Sequence, residues 1–143
     1  MSLISDEFGV GVAMSEADVI GLNTDTWKLV SIGDNQEYRM EAICRSIGDT
    51  LAIPLPRTLN WDALYDDLRN LNWMDWISLD MLFTDGCRVF DLDSIDQVIF
   101  IKLLSGVALH WKKRGRKLRI VLVGNQKLAR LVQMIVVPWN IIE

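Results

Sequence analysis

Two aspartates one helical turn apart, Asp62 and Asp66, are the groups in this chain best placed to do chemistry. They stand in Asn60-Trp61-Asp62-Ala63-Leu64-Tyr65-Asp66-Asp67-Leu68-Arg69-Asn70-Leu71. On a helical wheel Trp61, Leu64, Leu68 and Leu71 fall within about 80° of one another, a ridge that packs inward. Asp62 and Asp66 lie about 40° apart on the opposite side, where Arg69 and Asn70 flank them and Tyr65 sits between the two faces. Carboxylates shown in this way accept charge-assisted hydrogen bonds from Arg and Lys, so one explanation of the segment is a basic partner.

A structural explanation stands beside it. Asn60 is a good N-cap, and Asp62 in the first turn gains about 0.3–1 kcal/mol from the helix dipole. Asp66 and Asp67 lie beyond that turn, and like charges four residues apart cost a helix roughly 0.2–0.5 kcal/mol. Arg69 can screen Asp66 at three residues' spacing. Spacing alone leaves a solvated face and a binding face both open.

Catalytic and metal chemistry find little support. His110 is the single histidine, which rules out histidine-pair metal sites, and no nucleophile motif accompanies it. Its place near the end of a long helix suits a structural role. Asp62 and Asp66 share one exposed surface, a poor setting for acid–base catalysis. The aspartates that follow match no calcium loop, and Gly9 and Gly11 do not belong to a phosphate loop. Cys44 and Cys87 lack metal spacing and read as reduced, partly buried thiols. The expectation is no cofactor, no metal and no enzymatic activity. The six tryptophans read as core, with Trp73 the exposed exception.

Composition sets the frame for these elements. At 143 residues, half apolar and 24 % charged, the chain reads as one folded domain. No run approaches the length of about 18 apolar residues that a membrane span needs. The start, Met1-Ser2-Leu3-Ile4-Ser5-Asp6-Glu7, lacks the basic opening of a signal peptide, so a cytoplasmic protein is expected. Charge is uneven. From Asp62 to Asp96 nine aspartates face only Arg69 and Arg88, whereas Gln97 to Ile142 holds nine basic residues and no acid. The acidic segment suits a cationic protein. A sequence pI near 5.0 argues against direct nucleic-acid binding.

Periodicity then places the elements that must hold the aspartates. Residues 8–14 could be extended. Trp27–Ile32 reads as a strand ending at Gly33-Asp34-Asn35. A helix over about 37–47 carries Met40, Ile43, Cys44 and Ile47 on one face, and Gly48-Asp49 is expected to end it. Pro54 and Pro56 hold the next segment extended up to the acidic helix. Trp76–Phe83 reads as a second strand. An acidic loop leads to the cap Asp93-Ser94 of the longest helix, about Ile95 to Arg114, apolar on most of its circumference. Lys112, Lys113 and Arg114 fall in its last turn, where cations favour the dipole, and Gly115 is the expected residue after it. Leu118–Val123 is the third strand. Lys127–Ile135 is amphipathic and, with the apolar end of the chain, is expected to pack within the chain. This order implies a small α/β fold with a mostly parallel sheet.

Asn-Trp-Asp-Ala-Leu-Tyr-Asp-Asp-Leu, entered through Ile53-Pro54-Leu55-Pro56, resembles the signature of the barstar family of ribonuclease inhibitors. The long helix, Lys-Lys-Arg-Gly at 112–115 and the strand Leu118-Arg119-Ile120-Val121-Leu122-Val123 are similar to the end of that fold. The resemblance covers roughly residues 26–124, leaving 1–25 as an N-terminal extension and 125–143 as a C-terminal amphipathic extension packed on the domain. It implies a two-layer or three-layer fold with a three-stranded sheet.

It also implies an intracellular immunity protein or antitoxin that plugs the cationic active site of a basic ribonuclease or nuclease toxin with its acidic helix. Carried over position by position, Asp62 and Asp66 match the family's binding aspartates, Tyr65 the aromatic between them and Asn60 the helix entry. Arg69 and Asn70 complete the expected partner-binding face. Departures exist. Thr58 stands where members often have glycine, Pro56 and Arg57 occupy positions that can be aromatic, and Arg57 puts a positive charge beside the acidic face. His110 falls about where the family's namesake has an acidic contact. These departures leave open a target unlike barnase. The alternative is a non-inhibitory interaction module of the same fold, with monomer and homodimer both open.

Overall fold

Parallel strands cannot be joined by tight turns, so a chain that alternates strands with helices builds its sheet through helical crossovers. The computed structural model describes residues 9–15, 26–30, 37–54, 57–70 and 78–141, with 26–30 and 137–141 described as backbone only. In chain order the elements are β1 (Val10–Ala13), β2 (Thr26–Val30), α1 (Met40–Thr50), α2 (Trp61–Leu68), β3 (Ser78–Phe83), a 3-10 helix (Gly86–Asp91), α3 (Ser94–Lys112), β4 (Lys117–Val123) and α4 (Gln126–Ile141). The strands form one sheet, ordered β1-β4-β3-β2, in which every neighbouring pair is parallel. The helices α1 and α2 lie in the crossover from β2 to β3, and α3 makes the crossover from β3 to β4.

The α/β class and the three expected parallel strands are present as β2, β3 and β4. The strand count is corrected to four. β1 pairs with β4, Val10 opposite Ile120 and Ala13 opposite Val123. Residues 10–13 are therefore part of the sheet, although they lie in the stretch set apart as an N-terminal extension. Gly9 makes this docking possible: its φ of +76° is left-handed, and a Cβ there would run into Ala108 of α3.

Alternation divides the strands between two faces. Val10, Val12, Leu79, Met81, Phe83, Leu118, Ile120 and Leu122 join residues of all four helices in the main core. Ala13, Leu82 and Val121 form a second cluster on the other face, where Asp80 and Arg119 are also buried. Burial of both faces is the rule for parallel sheets.

At the centre lies α3, burying Phe100, Ile101, Leu103, Leu104, Val107, Ala108 and Trp111. Asp93 caps its start by accepting from the Asp96 N–H at 2.8 Å. Its end follows the expectation. Gly115 has φ +77°, its N–H donates to the Lys112 carbonyl, and the Arg116 N–H donates to that of Trp111. The first helix departs from expectation, because α1 runs through Gly48-Asp49 to Thr50. Gly48 does not stop the helix; a Cβ there would lie 2.7 Å from Arg57 Nε, so the glycine makes room for that side chain. The reversal falls on Ala52, at φ +54°. The turn is closed by the Ile53 N–H on the Gly48 carbonyl at 2.9 Å and the Ala52 N–H on that of Asp49 at 3.3 Å.

From Gln126 to Val136 the C-terminal stretch packs within the chain, while the side chains of the apolar end expected to pack with it lie outside the described residues. Leu128, Ala129, Val132 and Val136 of α4 are buried in the main core. Gly33-Asp34-Asn35, Pro56, Leu71, Trp73 and the start of the second expected strand at Trp76 lie outside the described residues. Among the described residues no helix is long and apolar enough to cross a membrane.

Candidate functional site: the acidic face of the second helix

Both ends of α2 are tied to α3. At its start the Asn60 side chain accepts from the Ala63 N–H at 2.8 Å, the N-cap read from the sequence. Trp61 is buried, stacks on Phe100 with centroids 5.4 Å apart, and donates from Nε1 to Asp96 at 3.0 Å. At the other end Trp111 Nε1 donates to the Leu68 carbonyl at 2.8 Å, satisfying one acceptor that a helix terminus leaves open. Leu64 and Leu68 are buried between these anchors. The inward ridge is therefore Trp61, Leu64 and Leu68. The helix itself ends at Leu68, and Leu71 lies outside the described residues.

The outward side carries the two aspartates. Asp62 is exposed, and the Asp66 side chain is 71 % exposed. Asp66 pairs with Arg69 on the same helix. Arg69 is held in turn by Tyr65, with its guanidinium carbon 4.1 Å from the ring centroid. Tyr65 can lie low because α3 has Gly106 beneath it: a Cβ at that position would be 3.2 Å from the phenol oxygen. A stack results, with the α3 backbone at the bottom, then Tyr65, then Arg69, which grips Asp66. Asn70 follows, exposed, its N–H on the Asp67 carbonyl at 3.1 Å.

Of the expected face, Asp62, Tyr65, Asp66, Arg69 and Asn70 are brought together. Asn60 differs, since its side-chain oxygen already serves the helix as cap. Arg57 puts its charge near the acidic helix, as expected, but is itself engaged. Rather than standing free beside the acidic face, its side chain is 9 % exposed, donates to the Ile53 carbonyl at 2.8 Å and pairs with Asp49 at 2.6 Å. It is still felt at Asp67. Partial burial pushes that carboxyl above its ordinary value, Arg57 pulls it down, and the neighbouring Asp66 raises it further.

His110 borders the site from α3. Burial lowers its pKa, and the positive charges of Arg114 and Arg69 lower it further, against an opposing hydrogen bond to the Arg69 backbone. It packs edge-on against Trp111 at 5.0 Å. The Cys44 thiol supports the site from behind, bonding the Asn60 carbonyl at 3.5 Å, and burial pushes its pKa up to about 12. Both cysteines are free thiols. Among the described residues no group of three or more His, Cys, Asp or Glu could hold a metal ion.

Beside the acidic face lies a hollow of about 300 Å³, which the sequence did not announce. Its walls are Trp61, Asp62 and Tyr65 from α2, Ile99 and Leu103 from α3, and Ile135 from α4. Ile99 and Leu103 belong to the helix read as apolar on most of its circumference, which is the one part of the hollow the sequence showed. The chain matches no protein-family model, no curated protein and no solved structure.

Proposed function

We propose that this chain is a cytoplasmic, non-catalytic inhibitor of a basic ribonuclease, of the immunity or antitoxin kind, and that α2 is the element it inserts into the nuclease's cationic cleft. The reading is carried by one observation: Asp62 and Asp66 are exposed one turn apart on a short helix fixed at both ends by Trp61 and Trp111. A fixed display loses little conformational entropy on binding, so more of each contact survives as affinity. Each carboxylate presents oxygens at the spacing of a helical turn and accepts charge-assisted hydrogen bonds from Arg and Lys, as an RNA phosphate would. The resemblance of residues 60–68 to the barstar signature supports the same reading.

The bond between Arg69 and Asp66 sets a condition on this mechanism. An exposed pair of this kind is worth about 0–1 kcal/mol, so a guanidinium from the nuclease can displace Arg69 at small cost. Asp62 gives the first contact, and Asp66 follows once Arg69 swings away. The worked system for such pairs is barnase with barstar, where close charge pairs couple by about 1.5–7 kcal/mol.

The test is co-purification and calorimetry with barnase and a panel of small secreted basic ribonucleases. Asp66→Ala weakens binding by more than about 2 kcal/mol, the hot-spot threshold, and leaves the melting temperature nearly unchanged. A nuclease that binds the variant as well as the parent removes α2 from the interface.

A further inference from the structure

We infer that the hollow between α2, α3 and α4 is a binding site for a small uncharged molecule of two aromatic rings that carries a hydrogen-bonding atom. Ser105 of α3 lines the hollow and is only 4 % exposed. In a helix such a hydroxyl commonly turns back to the carbonyl four residues earlier. Here it does not: among the described residues the Ser105 hydroxyl has no hydrogen-bond partner. Nor is it one of the fully sealed polar atoms of the protein, so it opens on the hollow. A polar group left unpaired at this depth is costly, and a ligand atom that reaches it relieves that cost. Tyr65 brings a second hydroxyl. It lies over Gly106, where a Cβ would be 3.2 Å from the phenol oxygen, one residue along α3 from Ser105.

Size and lining select the kind of molecule. Trp61, Ile99, Leu103, Ile135 and Val136 make most of the wall apolar, and an apolar hollow with a few polar groups is the make-up of a small-molecule site. An apolar cavity of about 150 Å³ holds one benzene. The hollow, at about 300 Å³, therefore takes two fused rings. Rings suit walls that hold Trp61 and Tyr65, since aromatic pairs attract beyond their buried area. A rigid ring system also loses less freedom on entry than an alkyl chain does. Charge selects a neutral molecule. Asp62 and Lys102 both line the hollow and both are exposed, so its mouth carries one charge of each sign. A ligand with net charge is drawn by one and repelled by the other, and it gives up its hydration besides.

This site does not depend on the nuclease reading. Ser105→Ala tests the hollow, and Asp66→Ala, outside its lining, tests the acidic face, so either can fail alone.

The experiment follows the full chain, with labelled Ile, Leu and Val methyl groups, by NMR during titration with naphthol, a neutral two-ring molecule whose hydroxyl both donates and accepts. Binding shifts the methyls of Ile99, Leu103, Ile135 and Val136. Ser105→Ala removes one oxygen and weakens binding about three- to tenfold, the loss of one hydrogen bond. Ile99→Trp, at a position 38 % exposed, fills the mouth of the hollow and abolishes the shifts. Naphthoate and naphthylmethylammonium, the charged counterparts, each bind at least about tenfold more weakly. A charged probe that binds as tightly as naphthol, an affinity unchanged by Ser105→Ala, shifts centred on other methyls, or no shift with millimolar naphthol overturns the proposal. Octanol and light scattering test two other occupants. Octanol bound as tightly as naphthol gives the hollow to an alkyl chain, and a dimer that Ile99→Trp breaks gives it to a second copy. Either result overturns the proposal equally.

Discussion

The guanidinium of Arg69 lies 4.1 Å from the centre of the Tyr65 ring and holds the Asp66 carboxylate, so the acidic face carries its own competitor. Removing that cation while keeping a polar side chain frees the carboxylate. Arg69→Gln is expected to raise the association rate with a basic ribonuclease about two- to fivefold at low salt, because it makes the face more negative by one charge. The gain shrinks as added salt shortens the screening length. Thermal stability moves little, since exposed pairs contribute at most about 1 kcal/mol. Stopped-flow measurement over a range of ionic strengths reads the effect. A slower association would mean that Arg69 itself touches the partner.

Asp80 and Arg119 lie opposite each other in β3 and β4, joined by two hydrogen bonds of 2.9 and 3.2 Å on the sheet face away from the main core. Both are buried. Taking away one partner leaves an uncompensated charge inside the protein, which costs about 3–5 kcal/mol. Asp80→Ala and Arg119→Ala should each lower the urea midpoint by a corresponding amount. The double change Asp80→Leu with Arg119→Leu should recover most of that loss, because well-packed apolar residues often replace a buried ion pair at no net cost. Equal losses in the single and double variants would show that packing, not charge, decides this site.

At Ala52 the backbone turns left-handed directly after α1, with φ +54°. A residue with a Cβ is disfavoured there by roughly 1–2 kcal/mol, and glycine is not. Glycine gives back part of that gain through the larger entropy of the unfolded chain, about 0.4–1 kcal/mol. Ala52→Gly is therefore expected to stabilise the protein by about 0.5–1 kcal/mol, seen as a higher urea midpoint at unchanged slope. Ala52→Val should do the reverse.

These positions also show what could be read in the chain and what could not. The cap at Asn60, the ridge of Trp61, Leu64 and Leu68, and the stop at Gly115 were legible, because each depends on neighbours within one or two turns. Gly48 misled, because its role comes from Arg57, nine residues later and packed against it from outside the helix. Arg57 was half legible: its charge beside the acidic helix was visible and is felt at Asp67, but not its two bonds to Asp49 and Ile53. The fourth strand was half legible. Residues 10–13 looked extended, yet nothing local says which strand they join, and that pairing spans 110 residues from Val10 to Ile120. The hollow was least legible, since it belongs to three helices at once.

His110 offers a pH-dependent check on the geometry of the site. Its folded pKa lies below the ordinary 6.5, first through burial and then through the charges of Arg114 and Arg69. A histidine of this kind takes a proton more readily in the unfolded chain. Its contribution to stability is therefore fully present above about pH 6.5 and is lost as pH falls through the folded midpoint. Because the ring is half-exposed, the effect on stability is small, and NMR titration of the imidazole is the more sensitive measurement. The midpoint should fall below that of a histidine model peptide and should rise in Arg69→Gln and in Arg114→Gln, each by removal of one nearby positive charge. A basic nuclease bound on the acidic face brings further cations toward the ring and should push the midpoint lower still. A midpoint above 6.5 in the free protein, or one unmoved by either substitution, would separate His110 from the two arginines and take it off the edge of this site.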